Sequence, residues 1–499
     1  VETVKVTPTY RSGIAVNRKK IIAALMLSGL AAALPARSAD SNLQLPSLGD
    51  GSSSLFSGQQ EYELGRAWLK IFRSQVRTVS DPVLQDYLEN LVYKLASNSQ
   101  LKDRRLEVVI VDNPTINAFA VPGGVVGVHN GAFLVAENEA QLASVLGHEL
   151  AHLSQRHFAR GVEQQQRSTV PVLAGMLGAL VLAATAHGDA GIAAMTATQA
   201  AAQQNQLRFS RENEQEADRI GMETAVKADF DPNAFAAMFE NMLASNRFAG
   251  RTPPEFLLTH PLTESRVSDA RNRARDYPRK VYVDNLDYQL MRARVELQLA
   301  ANAGEVIKRA KARLGSGKSR SAEADHYALA LAYLQTGQTK EAREHLQPLV
   351  TKDPWRIAYA VTDAQIDMTA GNVDRAIEKL QQQLRVNPGN HPLSMAYADA
   401  LLKANQPQKA EAVLEQEAKE RATDPDVWYL LAETDGLAGN IVGVHRARAE
   451  YFVLNGVLDK AEQQLGYALP LVKGDNLTTT KIEERIRQIK ALNEQMKKL

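Results

Sequence analysis

Cysteine is absent from this chain, which at once excludes disulfides, thiolate-held zinc and thiol catalysis. That absence is compatible with an oxidising compartment. Aromatic residues make up only 6% against an apolar total of 44%, an Ala/Leu-rich balance that leans helical. Charge of one sign is not in excess either. The 58 basic residues meet 57 acidic ones, so nothing argues for nucleic acid or an anionic surface as a partner. Long hydrophobic runs are scarce. The uncharged stretch VPVLAGMLGALVLAATA, Val170 to Ala186, reaches only the lower limit of a membrane span, and Gly and Ala dilute it. With 499 residues the chain is too long for one ordinary core, and two or three domains are expected.

What is present begins at the N-terminus. NRKKIIAALMLSGLAAALPARSAD sets a basic region (Arg18, Lys19, Lys20) before an uncharged run, Ile21 to Leu34, and small residues around Ala36 to Ser38. This is the anatomy of a secretory signal peptide over 1–38, with an apolar run too short for a stable span. The chain opens on Val1, and Val16 stands just before the basic region, so the first fifteen residues read as an over-called start. An uncleaved anchor is the alternative. Export without cysteine, and without a second long span, points to a bacterial periplasm.

Residues 39–56, rich in Ser, Gly and Pro, read as a flexible leader. From Ser57 the pattern predicts two amphipathic helices, the second opened by Asp81 and Pro82 as N-cap and first turn. Two strand-like runs follow, LEVVIVDN and VVGVHNGAF, joined by PTINAFAVPGG. This predicts a domain of α+β type with a small sheet over 57–280, the domain that carries the motifs below.

The C-terminal part, 281–490, repeats. Gly337, Gly371, Asn405 and Gly439 stand 34 apart, as do Ala342, Ala376 and Ala410, and Pro354 and Pro388. A 34-residue period with small residues at the turn and in the second helix is the tetratricopeptide signature, hence an α-solenoid that binds partners on its concave face. Tyr333 and Leu401 take the bulky interlocking position of the first helix, where the second unit has Asp367. Repeats are expected from about Ser321, after a divergent leading hairpin. The fold class is therefore multi-domain and mainly α.

The chemistry sits in ASVLGHELAHLSQRH. Two imidazoles at i and i+4, His148 and His152, share a helix face and can converge on one tetrahedral ion. Glu149, beside the first, can deprotonate a bound water. With 10 histidines in the chain, such a match would arise by chance about 2% of the time or less. His157, five residues past His152, lies off the ligand face. A third ligand must come from elsewhere, and SRENEQEADRIGMETAV offers one. Glu214 and Asp218 share a face, so Glu214 can ligate while Asp218 fixes a ligand imidazole, whereas Glu216 points away. The strand GGVVGVHNG is a candidate to pair with an extended substrate.

HELAH and SRENEQEAD, with NAFAVPGG upstream and THPLTESR downstream, resemble the gluzincin metallopeptidase family of HtpX and the CAAX prenyl endopeptidases. The resemblance implies one Zn2+ per chain held by His148, His152 and Glu214, Glu149 as general base and Asp218 behind the ligands. It also places His260 and Arg266 near the active site. There one of them stabilises the oxyanion, or the His260 imidazole takes the water position and keeps the enzyme latent. With a signal peptide and a repeat tail, the likeness extends to exported members of the family. It implies a periplasmic endopeptidase, associated with the outer membrane, that degrades misfolded or misassembled outer-membrane β-barrel proteins and docks to the β-barrel assembly machinery. Membrane-embedded relatives span the bilayer near 170–186; here a short hairpin packed over the site, or peripheral membrane contact, is expected. Two rivals stand beside this reading: a non-proteolytic chaperone or scaffold with structural zinc, and an integral membrane peptidase.

Overall fold

A computed structural model describes residues 57–164, 210–248 and 255–496. The signal-peptide, leader and 170–186 expectations lie outside the described residues. Among the described residues no helix is long and apolar enough to cross a membrane.

Helix α1 (Gly58–Gln75) begins at Ser57, whose hydroxyl and the Gln60 side chain form a reciprocal capping box. It buries Trp68 and Phe72 against Phe119, with ring centroids 5.8 and 5.5 Å away. Helix α2 (Pro82–Ser97) starts where Asp81 accepts from the N–H groups of Val83 and Leu84, with Pro82 at the first turn as expected.

Three strands follow: β1 (Glu107–Val111), β2 (Ala118–Val121) and β3 (Val125–His129), in the order β1-β3-β2. β1 runs parallel to β3, from Glu107 opposite Val125 to Val111 opposite His129. β2 runs antiparallel to β3, Ala118 opposite Val128 and Val121 opposite Val125. This corrects the expectation that GGVVGVHNG receives a substrate strand. β3 is the central strand, buried along its whole length and paired on both sides. β1 and β2 are the edge strands; residues 77–79 pair with the outer side of β1, so among the described residues the free edge is that of β2.

A short helix α3 (Ala132–Val135) leads to α4 (Glu139–Ser154), capped by Asn138 and buried almost throughout. After α5 (His157–Gln164) come α6 (Arg211–Lys227), α7 (Asn233–Phe248), α8 (Glu255–Thr259) and α9 (Glu264–Ala274). Helices α4 and α6 meet almost backbone to backbone. A Cβ built on Gly221 would stand 2.8 Å from the His148 nitrogen, and one on Gly147 would stand 3.0 Å from the Gly221 oxygen.

From Leu286 the chain is a stack of helix pairs. They run α10 (Leu286–Leu299), α11 (Ala303–Gly315), α12 (Ala322–Gln335), α13 (Thr339–Lys352), α14 (Ile357–Thr369), α15 (Val373–Val386), α16 (His391–Lys403) and α17 (Pro407–Glu420). The last four are α18 (Pro425–Ala438), α19 (Ile441–Leu454), α20 (Leu458–Ala468) and α21 (Asn476–Met496). The 34-residue series reappears in the backbone: Gly337, Gly371, Asn405 and Gly439 all adopt positive φ (75°, 85°, 56°, 83°). Asn is the non-glycine residue that tolerates that region best, which is why it can replace Gly in the third unit. Asp367, the mismatch in the second unit, is fully buried and ion-paired to Arg343 at 2.5 Å and Lys379 at 2.6 Å. Charge pairing there replaces the bulky interlock that Tyr333 and Leu401 supply in the first and third units.

One apolar core runs from α2 and the sheet through α4 into the first repeats. Tyr288 in α10 donates to the Ala136 and Phe133 carbonyls, and Arg294 pairs with Asp81 at 2.8 Å. Later in the array, Arg421 pairs with Glu89 at 2.7 Å, and a Cβ on Gly456 would meet the Lys70 carbonyl of α1. The repeats therefore grip the peptidase part at both ends.

Candidate metal centre

Helix α4 presents His148 and His152 on one buried face, their Nε2 atoms 3.0 Å apart. Helix α6, capped by Ser210, brings Glu214 to them: its carboxylate oxygens lie 3.6 Å from His148 Nε2 and 3.5 Å from His152 Nε2. His260, just past α8, completes the cluster. Its Nδ1 is 3.3 Å from His148 Nε2 and 3.0 Å from Glu214 Oε1, and its ring stacks on Phe256. All four donor atoms lie within 4.8 Å of one another, and all four residues are buried.

The donor set fits zinc. Four ligands about 2.0–2.1 Å from a tetrahedral ion stand roughly 3.3 Å from one another; the close pairs above are 3.0 to 3.6 Å apart, within a cluster that spans up to 4.8 Å. Neutral imidazoles and a carboxylate are donors that zinc accepts. Charge agrees with geometry. Burial opposes protonation of His148, yet the hydrogen bonds and charges of Asp218 and Glu214 overcome it and push its pKa up to about 9. Burial also works against the Glu214 anion, but His260, His148 and His152 outweigh it and hold the carboxyl well below its usual range.

Behind the donors lie the groups that aim them. Asp218 Oδ1 is 2.9 Å from His148 Nδ1, which turns Nε2 toward the cluster. Arg266, 4% exposed, grips Asp218 with two hydrogen bonds of 2.7 Å, pairs with Glu214 at 2.7 Å and donates to the Pro261 carbonyl. Its guanidinium is committed to these carboxylates, not to an oxyanion. Burial alone would raise Asp218, but Arg266 and His148 reverse that and lower it.

Glu149 is 1% exposed, and burial raises its pKa. Its carboxylate accepts from the Ala120 backbone on β2, and one oxygen lies 3.5 Å from His260 Nε2. The free edge of the sheet therefore passes directly beside Glu149. A cavity of about 80 Å³, lined by Ala120, Pro122, Gly123, His152 and Arg156 among others, opens between the end of β2 and His152.

The structure brings His148, His152, Glu214, Glu149, Asp218, His260 and Arg266 into one site. Sequence reasoning missed the Gly147–Gly221 contact that lets α4 and α6 approach closely enough to share a site. A glycine in each of two helices was the available signal, but nothing in the sequence pairs them.

Comparisons with known proteins agree on the family. The model for Peptidase family M48 matches residues 82–274, and a tetratricopeptide repeat model matches 367–434. The chain is 35% identical over 482 residues to the beta-barrel assembly-enhancing protease of Escherichia coli (strain K12), covering 96% of this chain and 98% of that one. It is 34% identical over 454 residues to the protein of the same name from Yersinia pestis, covering 91% and 93%. A mitochondrial metalloendopeptidase OMA1 of Schizosaccharomyces pombe is 30% identical over 181 residues, 36% of this chain and 50% of that one.

Proposed function

The chain belongs to the family of beta-barrel assembly-enhancing proteases and is a zinc metallopeptidase with tetratricopeptide repeats; from that premise we propose that it is a periplasmic endopeptidase that cleaves unfolded or misassembled outer-membrane β-barrel proteins. In this reading 57–280 is the catalytic domain and 281–490 the repeat domain that docks to the β-barrel assembly machinery. The signal-peptide pattern at 17–38 and the lack of cysteine support export.

His148, His152 and Glu214 would hold the zinc, which when bound would supply a Lewis acid able to lower the pKa of water to about 7. Glu149 takes the proton of the attacking water and delivers it to the leaving amine nitrogen. Its buried position, with the carboxyl raised, suits a group that must alternately accept and give a proton. Asp218 orients His148, and Arg266 orients Asp218 and Glu214 in turn. An extended substrate adds to the β2 edge, where backbone pairing tolerates many sequences, as degradation of unfolded chains requires.

The single observation that carries this reading is the meeting of the β2 edge with Glu149 at a buried three-ligand centre. It also weighs against a scaffold with structural zinc, which needs neither. His260 is read as a restraint. Its imidazole sits between the ligand cluster, through Nδ1, and Glu149, through Nε2. It would thus stand between the ligands and the base, and would hold the site shut until displaced.

The test is cleavage of an outer-membrane β-barrel protein diluted from urea, compared with the same barrel folded in detergent micelles. The unfolded chain is expected to be cut and the folded barrel spared. Equal cutting of both, or of neither, overturns the substrate assignment.

A further inference from the structure

We propose that His157 and Glu216 are positioning residues that hold the His152 imidazole in its metal-binding orientation; this rests on the zinc site described above. His152 meets the donor cluster through Nε2, so its Nδ1 faces away, and there it finds His157 Nδ1 at 3.0 Å. His157 is fully buried, its ring nearly perpendicular to that of His152 at a centroid distance of 4.9 Å. Its other nitrogen, Nε2, lies 3.0 Å from Glu216 Oε2.

One arrangement of protons satisfies every link. A metal-binding Nε2 must be bare, so His152 carries its proton on Nδ1 and donates it to His157 Nδ1. His157 is then protonated on Nε2 and donates to the Glu216 carboxylate. The chain of contacts ends at the surface, where Glu216 also pairs with Arg160 at 3.3 Å. His148 is held in the parallel way by Asp218, itself gripped by Arg266. Each ligand imidazole thus has its own holder, one inside and one reaching solvent.

The backbone is bent to make this contact. On a continued helix, His157 would lie well round from the face of His152. Instead α4 ends, and Arg156 adopts φ 53°, a strained region for a long side chain, while its guanidinium is anchored to Glu61. That turn swings His157 back beneath His152.

Three variants test the relay. His157→Leu fills the space without an acceptor, His157→Asn keeps an acceptor near the Nδ1 position, and Glu216→Ala removes the outer link from a partly exposed site. Zinc affinity is read by competition with a chromophoric chelator, and ligand geometry by the visible spectrum of the cobalt-substituted protein. Thermal unfolding of the metal-stripped protein checks the fold. His157→Leu is expected to lose about 10- to 100-fold in zinc affinity and to alter the cobalt spectrum, with Glu216→Ala near the lower end of that range. His157→Asn is expected to recover most of the affinity. If His157→Leu does not fold, Glu216→Ala decides alone. Unchanged affinity and spectrum in Glu216→Ala, or equal losses in the Asn and Leu variants, overturn the proposal.

Discussion

Replacing Gly221 by alanine sets two effects of opposite sign against each other. Helix propensity alone favours Ala over Gly by about 0.8–1.0 kcal/mol in a helix interior. The packing says otherwise: the new methyl would stand 2.8 Å from the His148 nitrogen and 2.9 Å from the Gly147 carbonyl carbon, both backbone atoms that cannot rotate away. Ordinary contact is about 3.5–4.0 Å, so α4 and α6 must part by roughly 0.7–1.2 Å. Overpacking of this kind costs about 1–3 kcal/mol. Without metal the helices relax apart. Zinc must draw Glu214 back to the two imidazoles, to within about 0.2 Å of ideal ligand distances, and so reimposes the strain. That strain corresponds to a loss of about 5- to 150-fold in zinc affinity. The assay is zinc competition alongside thermal unfolding of metal-stripped protein. Wild-type affinity with a raised unfolding temperature, the result propensity alone would give, would refute the reasoning.

Arg266→Met leaves two buried carboxylates, Glu214 and Asp218, without their cation, and metal-free protein should lose about 3–5 kcal/mol in denaturant unfolding. Zinc should restore part of that, since it compensates Glu214; a loss below about 1 kcal/mol contradicts the assigned role. His260→Ala is expected to raise basal cleavage of an unfolded barrel protein at unchanged zinc content, and unchanged or lower cleavage would end the restraint reading. In the repeats, burial and then the charges of Glu411 and Glu415 push the Asp435 carboxyl up to about 7. Between roughly pH 4 and 7 the folded chain therefore holds a proton that the unfolded chain has released, and stability falls as pH rises through that window. Asp435→Asn keeps a donor for Glu411 without the charge. It should be more stable than wild type by about 1–3 kcal/mol at pH 8 and no more stable near pH 4. The same gain at both pH values would contradict this.

Much of this architecture is legible because its signals are local. The i, i+4 spacing of His148 and His152, and of Glu214 and Asp218, places each pair on one helix face without knowledge of the rest of the fold. The 34-residue period announces the repeats for a similar reason: a positive-φ turn needs Gly or Asn wherever it recurs. What was not legible depends on contacts between distant segments. Alternation shows that VVGVH is a strand but not that two neighbours enclose it, so it looks available to an extended substrate when it is not. Asp367 breaks the repeat pattern until Arg343 and Lys379 stand beside it. His157 is off the ligand face, as its spacing says, but its contact with the far side of His152 is not legible, because helical spacing assumes the helix continues and Arg156 ends it. For Arg266, only the family resemblance brings the residue near the site, and only the structure shows its N–H groups turned toward Asp218 and Glu214.

The central claim is that one buried zinc centre with Glu149 as its base cuts unfolded chains. Glu149→Gln keeps the shape of the side chain and removes its basicity. The decisive measurement is cleavage of an unfolded outer-membrane barrel protein by wild type and Glu149→Gln, each with its zinc content determined. The account predicts one zinc per chain in both and a loss of about 10²- to 10⁴-fold in cleavage by the variant. Cleavage at the wild-type rate by zinc-loaded Glu149→Gln would contradict it.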